Sequence, residues 1–292
     1  IVPTFNEEKN ISKLIKALLS QSFLPDEIII SDGSSTDNTL KIIHNLSKNC
    51  NLIKVINRQG KCRGAGRNEG IKSAKNNFLA LIDSGTIPEK DWLLNFVKYL
   101  KQGKKFDIIF GSVFFKTTNF FDKSYATIFI DKNKKYKNYL MPSVASMFIK
   151  HSVWKKIGGF TESIDGSYKA EDISFLNNIK NFKFDIIYEK KSKVYWIINF
   201  SLVTTFKRFF EYSFGTLKAG HFKTWHQGLL RNILFFILLI FLTYKVSLLF
   251  LFFVIFLLFL KSFSYLRFTN WFKEGNLFIK LNYIFLLKVL FF

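Results

Sequence analysis

The chain has little cysteine and a shortage of negative charge, and each shortage closes off a class of function. Only Cys50 and Cys62 occur in 292 residues. Two cysteines make no disulfide framework and no metal-binding spacing, and they fit a reducing compartment. Acidic residues are outnumbered, 21 Asp and Glu against 43 Lys and Arg, for a formal net charge of +22. Such a surplus suits nucleic acid, anionic lipid head groups, or simply a source rich in Lys, Asn, Ile and Phe. The basic residues are scattered, with no RNA-binding signature and no helix-turn-helix pattern. A lipid surface with a compositional bias is therefore favoured, and nucleic acid is set aside. No secretory signal opens the chain. It starts at Ile1-Val2-Pro3, already inside an apparent strand, and closes on an apolar 289–292, so a fragment is expected.

Apolar residues, by contrast, make up 49% of the chain, and the mean hydropathy is positive, unusual for a basic soluble protein. They are unevenly placed. Up to about Trp225 the pattern is mixed α/β; from Leu229 it is almost continuous Phe, Leu and Ile. The expected organisation is a catalytic domain over 1–200, an amphipathic segment over 201–228 and a membrane region over 229–292.

Within the first part, strands and helices alternate. Ile1 to Pro3 ends a first strand, Asn6 is a candidate N-cap, and Glu7 and Glu8 suit a helix's first turn. Ile11, Leu14, Ile15, Leu18 and Leu19 share one helical face. Pro25 breaks the chain before a second strand, 28–30, which ends at Asp32. Asp37 is placed to cap the next helix. A third strand, 52–56, precedes a cationic, glycine-rich loop at 58–70. That loop lacks the G-x-x-x-x-G-K-[ST] pattern and the dinucleotide fingerprint. It either brings backbone N–H groups and Arg67 to phosphates or leaves Arg67 as a solvated charge.

The apolar run 78–82 ends at Asp83, followed by Ser84, Gly85 and Thr86. Pro88 is expected in the first turn of a helix bearing Trp92, Leu93, Phe96, Val97 and Leu100. Ligands of open α/β sheets bind beyond the carboxyl ends of the strands. Asp83 there either receives a metal or sugar-phosphate or caps the helix. Further strands are expected at 107–111 and 141–149, with a short helix near 153–156. The pair Glu171-Asp172 opens a helix: dipole compensation on one reading, a general base at a cleft on the other. The alternation predicts a doubly wound parallel sheet.

Five stretches carry a resemblance: VPTFNEE (2–8), IIISDGSSTDNT (28–39), GAGRNEGI (64–71), LALIDSGTIPEKDWL (79–93), and IGGFTES followed by AEDISF (157–175). In this order and spacing they resemble family 2 glycosyltransferases over roughly the first 220 residues. The resemblance implies an α/β GT-A fold, Rossmann-like with a mostly parallel sheet, and hexosyltransferase-type activity. It implies that Pro3, Phe5 and Glu7 line a nucleotide pocket, and that Asp32 accepts a hydrogen bond from the base. It places Arg67 near the diphosphate, makes Asp83 the first acid of a D-x-D metal motif, and makes Asp172, paired with Glu171, the catalytic base. The implied reaction inverts the anomeric centre, and the implied cofactor is Mg²⁺ or Mn²⁺. The second acid of D-x-D is Gly85, so activity is expected to survive in part without added divalent ion.

The C-terminal region predicts membrane attachment. Leu202, Phe206, Phe209, Phe210 and Phe214 form a stripe beside Lys207, Arg208 and Lys218, suited to the interface or to packing on the catalytic domain. Residues 229–260 would make ~48 Å as one helix, too long for a ~30 Å core, so a hairpin of 229–244 and 246–260 is expected, with 277–292 a possible truncated third span. Lys218, Lys223 and Arg231 on one side and Lys261, Arg267 and Lys273 on the other place both flanks in the cytoplasm. The expectation is a multi-pass cell-membrane enzyme with a cytoplasmic catalytic domain. It would use a UDP- or GDP-linked donor and a lipid-linked or polysaccharide acceptor for cell-surface glycan synthesis. The alternatives are a polyprenyl-phosphate sugar synthase, or a non-catalytic membrane-tethered nucleotide-sugar-binding module.

Overall fold

The computed structural model describes residues 1–48, 50–60, 62–129, 142–162, 170–218 and 220, with single helical positions between 234 and 256. The chain divides into two compact units. One comprises 1–116 with 140–197, the other 117–139 with 198–292.

The first unit begins with β1 (Val2–Thr4), α1 (Ile11–Leu19), β2 (Ile28–Asp32), α2 (Thr39–Ser47) and β3 (Ile53–Asn57). These strands pair in parallel in the order β1-β2-β3. Helix α1 forms because Ile11, Leu14, Ile15 and Leu18 recur at helical spacing, and all four are buried. Each buried side chain contributes ~1.5–3 kcal/mol. Every residue of β2 is buried, as a strand covered on both faces requires.

Next come α3 (Arg63–Lys72), β4 (Phe78–Ile82), β5 (Thr86–Pro88), α4 (Trp92–Lys101) and β6 (Ile108–Lys116). After an excursion into the second unit the chain adds β7 (Ser146–Lys150), α6 (His151–Ile157), α7 (Glu171–Ile179) and β8 (Ile186–Ile197). The second sheet runs β4-β7-β6-β8-β5. Only β6/β8 is parallel there; β4/β7, β6/β7 and β5/β8 are antiparallel. The arrangement is thus not the one parallel sheet expected: the first sheet is all parallel and the second is mixed. Its core is aromatic: Phe96 stacks on Phe148 at 5.4 Å, and buried Trp92 donates Nε1–H to Ser146 Oγ at 2.9 Å.

Three local expectations are corrected. Pro88 lies in β5, not in a helix; β5 is an edge strand, where a missing N–H is tolerated. Helix α4 starts four residues later. Asn6 is not an N-cap: α1 starts at Ile11, and Asn6 sits at φ 52, bonded to Ser35 and Thr36. Nor is 58–70 all loop, since α3 begins at Arg63.

The second unit holds α5 (Phe120–Phe129) and α8 (Leu202–Lys218). Asn119 Oδ1 accepts the Asp122 N–H at 2.8 Å, capping α5. Fully buried Asp122 accepts the Phe200 N–H at 2.9 Å, and Tyr125 meets Phe200 edge-on at 4.8 Å. Helix α8 buries Thr205, Phe209 and Thr216, and exposes Val203, Phe206, Phe210 and Phe214. Among the described residues no helix is long and apolar enough to cross a membrane. The expected spans at 229–244, 246–260 and 277–292 lie outside the described residues, apart from single exposed helical positions such as Leu234, Ile237 and Phe241.

Candidate active site

The site is built around a buried arginine. Arg67, in α3, is 1% exposed. Its Nη2 donates to Asp83 Oδ1 at 2.7 Å, and its Nη1 donates to Glu171 Oε1 at 3.2 Å. One guanidinium thereby ties α3 to the end of β4 and to the first residue of α7, 104 positions away. Burial alone would lower the Arg67 pKa. The charges of Asp83, Glu171 and Asp172 outweigh burial and raise it, so the group is a permanent cation. The reading of Arg67 as a solvated surface charge is overturned. A buried charge persists only where its partners hold it, and these carboxylates do so.

Asp172 follows Glu171 in the first turn of α7. Its pKa is pushed up to about 6, first by burial and then by the adjacent Glu171 carboxylate. Arg67, the Ile173 N–H at 2.8 Å and Arg63 oppose the rise. A carboxylate ionised at neutral pH yet basic enough to take a proton is what general-base work requires.

The position of α7 is set from α3. Asn68 is buried and fully satisfied. Its Oδ1 accepts the Phe160 N–H at 2.8 Å and the Trp154 Nε1–H at 2.9 Å. Its Nδ2 donates to the Phe160 carbonyl at 2.8 Å and to Glu162 Oε1 at 2.5 Å. Phe160 in turn stacks on Phe175 of α7 at 4.0 Å and lies under the Arg67 guanidinium at 5.2 Å. Each glycine inside α3 costs about 1 kcal/mol relative to alanine. Close packing explains them: a Cβ at Gly64 would lie 2.2 Å from the Thr161 carbonyl, and one at Gly70 would lie 2.7 Å from Ile1 Cγ2. Sequence reasoning missed Asn68 entirely; the only signal was a polar residue beside Arg67 in a glycine-rich stretch.

The loops after β1 and β2 form the other wall. Asn6 and Ser34 both hold positive φ, 52° and 60°, a strained backbone held in place by cross-links. Asn6 bonds Ser35 and Thr36, and Glu8 bonds Asp37 and Asn38. Pro3 is buried in β1, and Phe5 is half-buried just beyond it. Asp32 is fully buried, with Oδ1 and Oδ2 accepting from Ser35 Oγ at 2.6 Å and Ser35 N at 2.8 Å. Glu7 has its pKa raised, first by burial, with the negative charges of Asp83 and Asp37 adding to it; Asn10 and Arg63 oppose. Glu7 and Asp83 thus share one electrostatic environment. Exposed Arg63, in the first turn of α3, reaches both Glu7 and Asp172 electrostatically.

Among the described residues, no group of three His, Cys, Asp or Glu could hold a metal. A diphosphate-bound Mg²⁺ or Mn²⁺ does not need one, because it takes one or two carboxylates with the phosphates and water completing the shell. Asp83 has a side chain 30% accessible. A Cβ at Gly85 would stand 3.5 Å from Glu7 Oε1 and 3.6 Å from Trp196 Nε1, in ordinary contact. The space where a second acid would start is thus open, and a carboxylate already borders it. The oxygen donors present fit such an ion.

The family profile described as "Glycosyl transferase family 2" matches residues 1–157. A Methanococcus voltae protein, a dolichyl N-acetyl-alpha-D-glucosaminyl phosphate 3-beta-D-2,3-diacetamido-2,3-dideoxy-beta-D-glucuronosyltransferase, is 38% identical over 36% of this chain and 34% of its own. A Campylobacter jejuni GalNAc(5)-diNAcBac-PP-undecaprenol beta-1,3-glucosyltransferase is 28% identical over 53% of this chain and 50% of its own. The chain thus spans a third to a half of the length of these curated relatives. Among solved structures, S. aureus TarS with UDP superposes at a TM-score of 0.54 with 20% identity, covering 74% of this chain and 64% of that one. The mannosyltransferase PcManGT from Pyrobaculum calidifontis, with GDP-Man and Mn²⁺, does so at 0.53 with 16% identity, over 75% and 63%. These structures share the GT-A-like α/β fold. With the profile covering more than half of its length, the chain belongs to glycosyl transferase family 2.

Proposed function

We propose that the protein is a membrane-anchored, inverting glycosyltransferase that moves a sugar from a UDP- or GDP-linked donor to a hydroxyl of a lipid-linked or polysaccharide acceptor. The observation that carries this reading is buried Arg67 bridging Asp83 and Glu171, with Asp172 held beside it at a pKa of about 6. Relatives support the donor and acceptor classes by name: UDP and GDP-Man appear in solved structures, and dolichyl- and undecaprenol-linked glycans in the curated names.

In this mechanism Asp172 accepts the proton of the acceptor hydroxyl. The oxygen attacks the anomeric carbon from the face opposite the nucleotide, and the bond from that carbon to the diphosphate oxygen breaks. The diphosphate leaves with the electron pair, and the anomeric configuration inverts. Arg67 fixes Asp83 on the donor side and Glu171 on the base side, so the two halves keep their spacing. Glu171 is tied to Arg67, and Asp172, with its pKa at about 6, takes the proton. A divalent ion, when bound, would offset charge on the leaving diphosphate, held by Asp83.

Anchoring rests on the apolar 229–292 and on the exposed aromatic stripe of α8, with Lys218 Nζ 4.9 Å from the Phe214 ring. Orientation with the catalytic domain in the cytoplasm rests on the flanking lysines and arginines alone.

The test is nucleoside-diphosphate release by the detergent-solubilised full chain across a panel of UDP- and GDP-sugars, with acceptor lipids supplied. Turnover on one donor, lost in Asp83→Ala and reduced at least about 100-fold in Asp172→Asn, is expected. A mild effect of Asp172→Asn alone would move the acceptor from a hydroxyl to a polyprenyl phosphate, which needs less base catalysis. Donor binding without turnover over the whole panel would leave only a binding module.

A further inference from the structure

Gly85 stands where the D-x-D pattern has its second acid, and Glu7, in the loop after β1, holds Oε1 3.5 Å from where a Cβ at Gly85 would stand. We propose that Glu7 acts with Asp83 as the second carboxylate ligand of a divalent-cation site, in the position left open by Gly85. The inference rests on the donor-binding reading above.

Three observations support it. First, the geometry is specific to one atom. Glu7 Oε2 accepts from Asn10 Nδ2 at 3.2 Å, which fixes the carboxylate and turns Oε1 toward Gly85, 3.5 Å from where a Cβ there would stand. Second, the backbone of Glu7 is held independently of its side chain. Its N–H donates to Thr39 Oγ1 at 2.7 Å, and its carbonyl accepts from Asn10 and Ile11 at 3.0 and 2.9 Å. The side chain is therefore not needed to shape the loop or to start α1. Third, Gly85 has no left-handed backbone, and a Cβ there meets only ordinary contacts. Nothing in the fold demands glycine at 85, and a small residue there leaves Oε1 of Glu7 uncrowded. Carboxylate oxygens from Glu7 and Asp83 would supply the hard oxygen ligands that Mg²⁺ and Mn²⁺ take. On this account the metal requirement is restored rather than weakened.

The experiment is Mn²⁺ binding, read as loss of the free-ion electron paramagnetic resonance signal, on the full chain in detergent. It is run with Mn²⁺ alone, with UDP and with GDP, alongside calorimetry of each nucleotide in chelator. The variants are Glu7→Gln, which keeps the Asn10 contact, Gly85→Asp, and the two combined. Wild type is expected to bind Mn²⁺ more tightly when its nucleotide is present. Glu7→Gln should weaken that binding at least about tenfold when both proteins are compared at saturating nucleotide. The double variant should recover to within about threefold of wild type, a rescue that a purely structural role for Glu7 would not produce. Mn²⁺ binding by Glu7→Gln equal to wild type, or nucleotide binding by wild type with no Mn²⁺ uptake, would overturn the inference while leaving the transferase reading intact. No binding of either nucleotide under any condition would remove both.

Discussion

Replacing Asp172 with asparagine should make the protein more stable and far less active. In the folded chain the Asp172 carboxyl titrates at about 6 against a reference of 3.8. Holding it ionised at neutral pH therefore costs up to ~3 kcal/mol of folding free energy. The sign follows from proton uptake. Between pH 3.8 and 6 the folded chain binds a proton at Asp172 that the unfolded chain has released, so the site destabilises the fold progressively as pH rises through that window, and fully above it. Asparagine keeps the shape and the acceptor oxygen facing the Ile173 N–H, but carries no charge beside Glu171. At pH 8 Asp172→Asn should raise Tm by up to about 6–12 °C, taking ~2–4 °C per kcal/mol for a domain of this size. Below pH 4 wild type and variant should melt together. In the same preparation, kcat should fall about 10²–10⁴-fold. Wild-type kcat/KM should drop about tenfold per pH unit below 6. The assay is a paired thermal melt and rate measurement across pH 4 to 8. A variant that melts lower than wild type at pH 8, or whose advantage persists unchanged at pH 4, would refute the argument that a strained, ionised Asp172 is the base.

The other expectations are more local. Gly64→Ala places a methyl 2.2 Å from the Thr161 carbonyl, so α3 and the 158–162 turn must separate. A loss of ~1–3 kcal/mol in denaturant melts is expected, and a melt unchanged from wild type would show that the two do not pack as described. Arg67→Lys keeps the charge but not the fork that reaches both Asp83 and Glu171. At least about 100-fold loss of turnover is expected, with Arg67→Ala additionally destabilising by ~3–5 kcal/mol; wild-type rates in Arg67→Lys would count against the bridge. Phe206→Ser/Phe210→Ser removes two rings that are 64% and 65% exposed on α8. Co-sedimentation of the purified chain with anionic vesicles should drop severalfold, and undiminished binding would mean that the stripe does not face lipid.

Elements whose signal is local were readable from the sequence. Ile11, Leu14, Ile15 and Leu18 announce α1 by spacing, and Phe78–Ile82 announces β4 by its apolar run ending in an acid. Elements whose signal is distributed were not. Strand β8 contains EKKSK in its middle, and only Glu189, Ser192 and Val194 of its centre point inward enough to be buried. Its strand character comes from pairing with β6 and β5, which no window of the sequence contains. Strand β5 is three residues closing on a proline, and it exists because β8 lies beside it. Helix α3 carries three glycines and so has low intrinsic helicity. What holds it is Asn68 and Arg67 reaching the turn after α6 and the start of α7, about 90 to 100 positions on.

The same contrast bears on how the site itself was read. Asp83, Glu171 and Asp172 stand out because they fall inside stretches that resemble the family's motifs. Arg67 could be placed near them by resemblance, but not assigned its partners, because a buried ion bridge is a property of three elements at once. Gly85 illustrates the converse. Read along the chain, it is a missing ligand beside Asp83, and weaker metal binding follows. Read in space, the missing side chain would have pointed at Glu7 Oε1, an atom supplied by the loop after β1 and steadied by Asn10. A cation responds to oxygens at a distance, not to residues in a motif. If Gly85→Asp rescues Mn²⁺ binding in Glu7→Gln, the two positions are interchangeable sources of one ligand, and the loss along the chain was never a loss of chemistry.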